Sequence, residues 1–179
     1  RKMVTVTSNN SQTAAAPIPY VTAGEAFTLM QTSFDRFMKL IESLEPGDWS
    51  KPTACTAWNV KDIVAHQAGG YASGTGYREM LRQYTSKPKP GELLEDAINA
   101  LQVAERADKS PAELIAELKE VGSVAIYKWA HRFRIAKPLI APHPVGGWMS
   151  LRYLMWIIHS RDTWMHRLDI SRATGRAFE

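Results

Sequence analysis

The chain has 179 residues, a net charge of +4 and a sequence pI near 9.2, which makes it the size of one domain, large enough to bury a core without staples. Its 45% hydrophobic and 22% charged residues are ordinary for a globular protein, and with Lys and Arg interleaved with Asp and Glu nothing indicates a nucleic-acid partner. The single Cys55 excludes an internal disulfide and a cysteine-rich zinc knuckle, and the longest strongly apolar run, Tyr153 to Ile158, falls far short of the roughly 20 residues of a membrane span.

Residues 1–20 are rich in Ser, Thr, Asn and Ala and contain no long apolar stretch. They are expected to form a flexible tail, not a signal peptide. Arg1 and Lys2, ahead of Met3, read as an addition to the natural start. Residues 21–179 are expected to form one helical-bundle domain. The abrupt end after Gly175-Arg176-Ala177-Phe178 suggests a native chain that continues past Glu179.

A first helix starts at the capping-box spacing of Thr22 and Glu25. Phe27, Met30, Phe34, Phe37, Leu40, Ile41 and Leu44 line it at helical period, and Pro46-Gly47-Asp48 ends it. After a loop from Trp49 to Trp58, Asn59 caps a second helix with Asp62 in its first turn. Gly69, Gly70, Gly74 and Gly76 make its middle unusual, because each glycine costs about 1 kcal/mol in a helix interior. Either the helix breaks near Gly69-Gly70, or something large packs on a smooth face there. The pattern resumes through Tyr77, Met80 and Leu81 and stops at Pro88 and Pro90.

Glu92 to Arg106 reads as a shorter helix. Ser110-Pro111-Ala112-Glu113 opens another, which carries Leu114, Ile115, Leu118, Val121, Ile126 and Trp129. Lys137 to Gly147, with three prolines and two glycines, reads as a long loop. The last helix is expected from Ser150 to Thr174, terminated by Gly175. With no convincing strand and no internal repeat, the expected fold is all-α: an antiparallel four-helix bundle with an additional short helix.

The last helix places His159, Asp162, His166 and Asp169 within one quadrant. Asp162 and His166, four apart, stack one turn above the other, at the spacing that lets two side chains of one helix grip one metal ion. His66, on the second helix, is a third candidate. Three protein ligands leave an open position, and open sites do chemistry. Each member also has a plainer reading: His66 as a core histidine, Asp162 and His166 as an ion pair. The face packs among Leu154, Trp156, Ile157, Trp164, Met165 and Leu168, where polar groups need partners, and a metal would serve all of them at once.

Alternatives stay open around this set. His159 competes with Asp162 as a ligand. Asp169 either orients an imidazole from behind or pairs with Arg167 or Arg172. His131 and His143 are weaker candidates, and Cys55 is a nucleophile, a ligand or a small buried thiol. Trp58, Trp148, Trp156 and Trp164 line a pocket or fill the core. Arg161 and Arg167 could steer an anion, with surface roles as the plainer reading.

The stretch from Trp49 through Pro52-Thr53-Ala54-Cys55-Thr56-Ala57-Trp58-Asn59 to Ala65-His66 resembles the entry to the second helix in the DinB-like superfamily, and the tail from Arg161 to Gly175 resembles a second metal segment. More closely, they resemble the N-terminal metal-binding domain of the mycothiol-dependent maleylpyruvate isomerase family. The resemblance covers most of residues 22–179. It implies a four-helix bundle holding a divalent metal, usually zinc, through one His of the second helix and a carboxylate-x3-His pair of the last. The matching positions are His66, Asp162 and His166. The family usually has Glu where this chain has Asp162, a side chain one methylene shorter. Related chains often carry a second C-terminal domain, none of which is visible in this sequence.

Characterised relatives use a low-molecular-weight thiol, so the resemblance implies mycothiol or a similar thiol as cosubstrate and an electrophilic small molecule as substrate. The expected function is then a metal-dependent isomerase or thiol transferase. A metal-dependent hydrolase and a non-catalytic binding or stress-related module are the alternatives. A cytoplasmic location, no nucleic-acid or membrane partner, and a monomer or homodimer complete the expectation.

Overall fold

The structure, a computed structural model, describes residues 21–132, 140–142 and 148–179. The expected tail of residues 1–20 and the candidate His143 lie outside the described residues. Helix α1 spans Ala23–Glu42 and opens on the expected capping box. Thr22 Oγ1 accepts from Glu25 N–H at 3.2 Å while Glu25 accepts from Thr22 N–H at 2.8 Å. Its apolar stripe enters the core, with Met30, Phe34, Phe37, Leu40 and Ile41 all buried. A 3-10 turn, Pro46–Asp48, follows.

Helix α2, Val60–Gly74, starts at Asn59, whose side chain accepts from Asp62 N–H. The helix does not break at Gly69-Gly70. It runs on to Gly74, and a short Thr75-Gly76 link separates it from α3, Tyr77–Tyr84. What was expected as one interrupted helix is therefore two. The glycines serve close packing: a Cβ on Gly69 would stand 2.5 Å from Gln102 Cγ, and one on Gly74 would stand 2.7 Å from Ala125 Cβ and 2.6 Å from the Trp129 ring.

Helix α4, Leu94–Ala104, and α5, Pro111–Arg132, fall where the sequence places them. Arg106 fastens the corner between them, donating to both oxygens of Glu117 and to the Gln102 carbonyl. Two short strands, β1 (Ile140–Pro142) and β2 (Trp148–Ser150), pair antiparallel. This ribbon corrects the expectation of a plain loop. Strands of three residues show too little alternation to be seen in sequence. Ser150 caps the last helical stretch, which begins as α6, Leu151–Tyr153, widens into a π turn over Leu154–Ile158, and continues as α7, His159–Thr174. Gly175 ends it at φ +74, in the left-handed region that glycine adopts at least cost.

The long helices α1, α2, α5 and α7 form an all-α bundle, with α3 and α4 laid against α2. The core they share includes the fully buried Phe37, Ile41, Ile63, Leu114, Leu118, Ile126 and Ile170. Among the described residues no helix is long and apolar enough to cross a membrane.

Gly74 and Gly24 give a paired test of close packing. An alanine at Gly24 meets nothing within 4 Å and should leave stability unchanged or raise it by up to about 1 kcal/mol through helix propensity. At Gly74 the same change meets Ala125 and Trp129, and overpacking should win, costing about 1–3 kcal/mol in urea unfolding.

Candidate metal centre

Helices α2 and α7 bring His66, Asp162 and His166 together: one ligand atom from each lies within 4.8 Å of the others. Asp162 Oδ2 faces His66 Nε2 at 3.2 Å, and Asp162 Oδ1 faces His166 Nε2 at 3.4 Å. The imidazoles are nearly covered, with side chains 8% and 12% exposed, whereas Asp162 keeps 38%. The cluster is thus reached from the carboxylate side. Trp58 walls it, its ring 5.0 Å from the His66 ring and 6.0 Å from the His166 ring.

Neighbouring groups hold each member in place. Tyr71 O–H and Thr163 Oγ1 are 2.9 Å apart, Thr163 donates to Gln67 Oε1 at 2.9 Å, and Gln67 Nε2 therefore turns to Asp162 Oδ2 at 2.5 Å. His66 Nδ1 lies 2.7 Å from Gln102 Oε1. His166 Nδ1 faces Asp169 Oδ2 at 3.5 Å, an ion-pair distance without an aligned hydrogen bond. Burial works to raise the Asp162 carboxyl, but hydrogen bonds and charge from His166 and His66 win and hold it well below the carboxylate range. For His166 burial works downward, and Asp162 and Asp169 together push it up.

The two rings pose a proton-counting problem. Each imidazole lies between two groups that accept: His66 between Gln102 Oε1 and Asp162, His166 between Asp169 and Asp162. A neutral imidazole has one N–H. Either the rings are doubly protonated, or a cation shared by His66 Nε2, Asp162 and His166 Nε2 replaces the missing protons and lets each ring keep its Nδ1–H. The residues present fit a divalent metal on that ground.

Other candidates fall elsewhere. His159 stands one turn before Asp162, where α7 faces α5, and stacks on Trp129 with centroids 4.3 Å apart and planes 6° off parallel. Asp169 takes the position behind an imidazole. His131 is exposed and binds the Tyr127 carbonyl. Cys55 is a half-buried free thiol in the loop before α2. Of the four tryptophans, Trp58 lies at the cluster, Trp156 is core and donates to the Trp129 carbonyl, and Trp148 and Trp164 are exposed. Arg161 is exposed. Arg167, expected at the surface, is buried, with its guanidinium 4.7 Å from the Phe178 ring centre. Gln67 and Gln102 escaped the sequence reading, since a glutamine has no spacing signature. The only hint was a polar residue inside an apolar helical stretch.

A helical bundle carrying a histidine–carboxylate cluster between two of its helices is the class this geometry defines. The family model described as the mycothiol maleylpyruvate isomerase N-terminal domain matches residues 30–171, most of the chain, and the protein belongs to that family. Among solved structures, a mycothiol-dependent maleylpyruvate isomerase is similar in fold, with a TM-score of 0.63 at 16% identity. The match covers 84% of this chain and 61% of that one. A histidine-to-alanine mutant of a mycothiol-dependent maleylpyruvate isomerase aligns equally well, at TM-score 0.63 and 15% identity. This chain therefore spans about three fifths of the length of the solved proteins it matches. No functionally curated protein matches the sequence significantly.

Burial holds His159 neutral, lowering its pKa from 6.5 to about 4. As pH falls the unfolded chain takes up this proton near 6.5 and the folded chain only near 4, so stability drops across that window. The full difference is about 3 kcal/mol. His159→Phe, which keeps the stack on Trp129, should flatten the fall in unfolding free energy between pH 6.5 and 4 relative to the wild type. Parallel slopes in the two proteins would show that His159 does not resist protonation.

Proposed function

We propose that this domain binds a divalent metal, zinc by the nitrogen and carboxylate character of its donors, through His66, Asp162 and His166. We propose further that it acts with a low-molecular-weight thiol, mycothiol or a close analogue, on a small electrophile, as an isomerase or thiol transferase. The observation that carries the metal reading is the pair of imidazoles each set between two acceptors, which only protons or a shared cation can satisfy. Family membership supports the thiol. A reducing cytosol, where thiols stay available, suits the same reading.

A divalent cation bound here supplies Lewis acidity, lowering the pKa of a thiol or water in the open position. The chain's own residues prepare for that. Asp162, ionised and braced by the Gln67 amide, contributes negative charge where the cluster meets solvent. Gln102 behind His66 aims its Nε2 at Asp162, and Asp169 puts a negative charge behind His166. Trp58 covers the rings and offers an apolar wall to a thiol or an electrophile.

Elemental analysis of tag-free protein should find close to one divalent ion per chain, or its uptake on incubation with zinc. His166→Ala should lower zinc affinity by more than the roughly 10–100-fold typical of losing a group behind a ligand. The loaded protein should consume an electrophile such as maleylpyruvate only when a small thiol is added. Loss of an ester or amide without thiol would point to a hydrolase. A protein that takes up no metal under any condition would leave the cluster a structural network and end the enzymatic reading.

A further inference from the structure

We infer that Glu79, Gln83 and Gln102 form a hydrogen-bond chain that fixes the proton of His66 on Nδ1 and so presents its Nε2 to a cation. The inference rests on reading His66 as a ligand, and assigns these three as positioning residues for it.

The direction of the chain is set at its far end. Gln83 Nε2 donates to two groups that can only accept, the Gly69 carbonyl at 3.0 Å and Glu79 Oε1 at 2.8 Å. Glu79 remains ionised: its hydrogen bond with Arg82 lowers its carboxyl to about 2, and Arg82 is itself clasped by Glu105. Gln83 therefore cannot exchange its amide ends without setting its oxygen against two oxygens. Its Oε1 must face Gln102, which donates to it through Nε2 at 2.7 Å. Gln102 is then left with Oε1 toward His66, 2.7 Å from Nδ1. An amide oxygen only accepts, so Nδ1 must carry the hydrogen.

Nothing local can relax this order. Gln83 is 0% and Gln102 4% exposed, so water has little access to replace a lost partner. The approach of α4 depends on Gly69, since a Cβ there would overlap Gln102 Cγ at 2.5 Å and Cβ at 2.6 Å. The Gln102 carbonyl is pinned by Arg106, which Glu117 holds in turn. The two short helices thus serve the cluster: α3 brings the acceptor that sets the polarity, and α4 brings the amide that delivers it to α2. Fixing a ligand histidine's tautomer through its remote nitrogen tunes both its direction and its basicity.

The test combines a readout that needs no metal with one that does. In metal-free protein, proton–nitrogen NMR of the His66 ring should show a slowly exchanging Nδ1–H. Gln102→Leu, close in volume and apolar, should lose that signal and weaken zinc binding about 10–100-fold in competition with a chelator. Gln102→Glu in the Gln83→Leu background, where no amide oxygen opposes the second carboxylate oxygen, should recover the signal and bind zinc more tightly than Gln83→Leu alone, because a carboxylate accepts Nδ1–H whichever way it turns. Gln83→Leu, which frees the Gln102 amide to turn, should weaken zinc binding several-fold and keeps the question answerable if Gln102→Leu does not fold.

A role in packing alone predicts that leucine is tolerated at position 102 and that glutamate rescues nothing in the Gln83→Leu background, and that result would overturn the inference. So would a wild-type His66 with its proton on Nε2 alone. A protein that shows the protected Nδ1–H yet takes up no zinc would sink the metal reading and leave the hydrogen-bond chain standing.

Discussion

A single carboxylate sets the terms for much of this fold. Asp162 takes a hydrogen bond from Gln67, faces two imidazoles, and sits where α7 meets α2 in a bundle otherwise filled with apolar side chains. Polar groups in such a place must be satisfied, or they cost more than the packing around them returns. Satisfaction spreads outward from it: Thr163 and Tyr71 orient Gln67, Gln102 orients His66, and Asp169 stands behind His166. Of these only Gln102 comes from a third helix, α4, whose close approach to α2 depends on Gly69.

Family membership fixes what kind of domain this is, and the chain's own departures give it character. The shorter Asp162 stands where the resemblance implies a glutamate. In this protein a glutamine amide braces the carboxylate at 2.5 Å, so the loss of a methylene is accompanied by a firm hold on its orientation. The cluster is open on one side, where Asp162 keeps over a third of its surface and Trp58 forms a wall.

Much of the architecture was legible because local chemistry and global packing agree. Thr22 with Glu25, Asn59 with Asp62 and Ser110 with Glu113 each mark a helix start with two reciprocal hydrogen bonds, and all three are made. The spacing of Asp162 and His166 was legible for the same reason, since a helix fixes which residues share a face. Reasoning from one helix at a time could not foresee that the face turns between neighbours. His159 shares a quadrant with Asp162, yet one turn earlier it meets Trp129 of α5 instead of α2. Gln67, Gln83 and Gln102 were invisible because an amide earns its role only from what surrounds it. The ribbon of Ile140–Pro142 with Trp148–Ser150 is too short to leave a periodic trace.

The π turn at Leu154–Ile158 keeps the two ends of the last helical stretch in phase. Such a turn accommodates one residue more than regular α-helix would. Upstream of its end, Trp156 is anchored by its indole N–H on the Trp129 carbonyl at 2.9 Å; downstream, Asp162 and His166 must meet α2. Deleting one residue from this stretch would restore regular winding and leave both anchors in phase, whereas deleting one from the regular helix between Ile158 and Asp162 would rotate one anchor against the other by roughly 100°. In that second case tryptophan and cluster could not both stay in phase. Across related chains, a one-residue insertion or deletion should be tolerated within this turn more readily than between it and the cluster, so that the bulge absorbs a change of length between the core and the site.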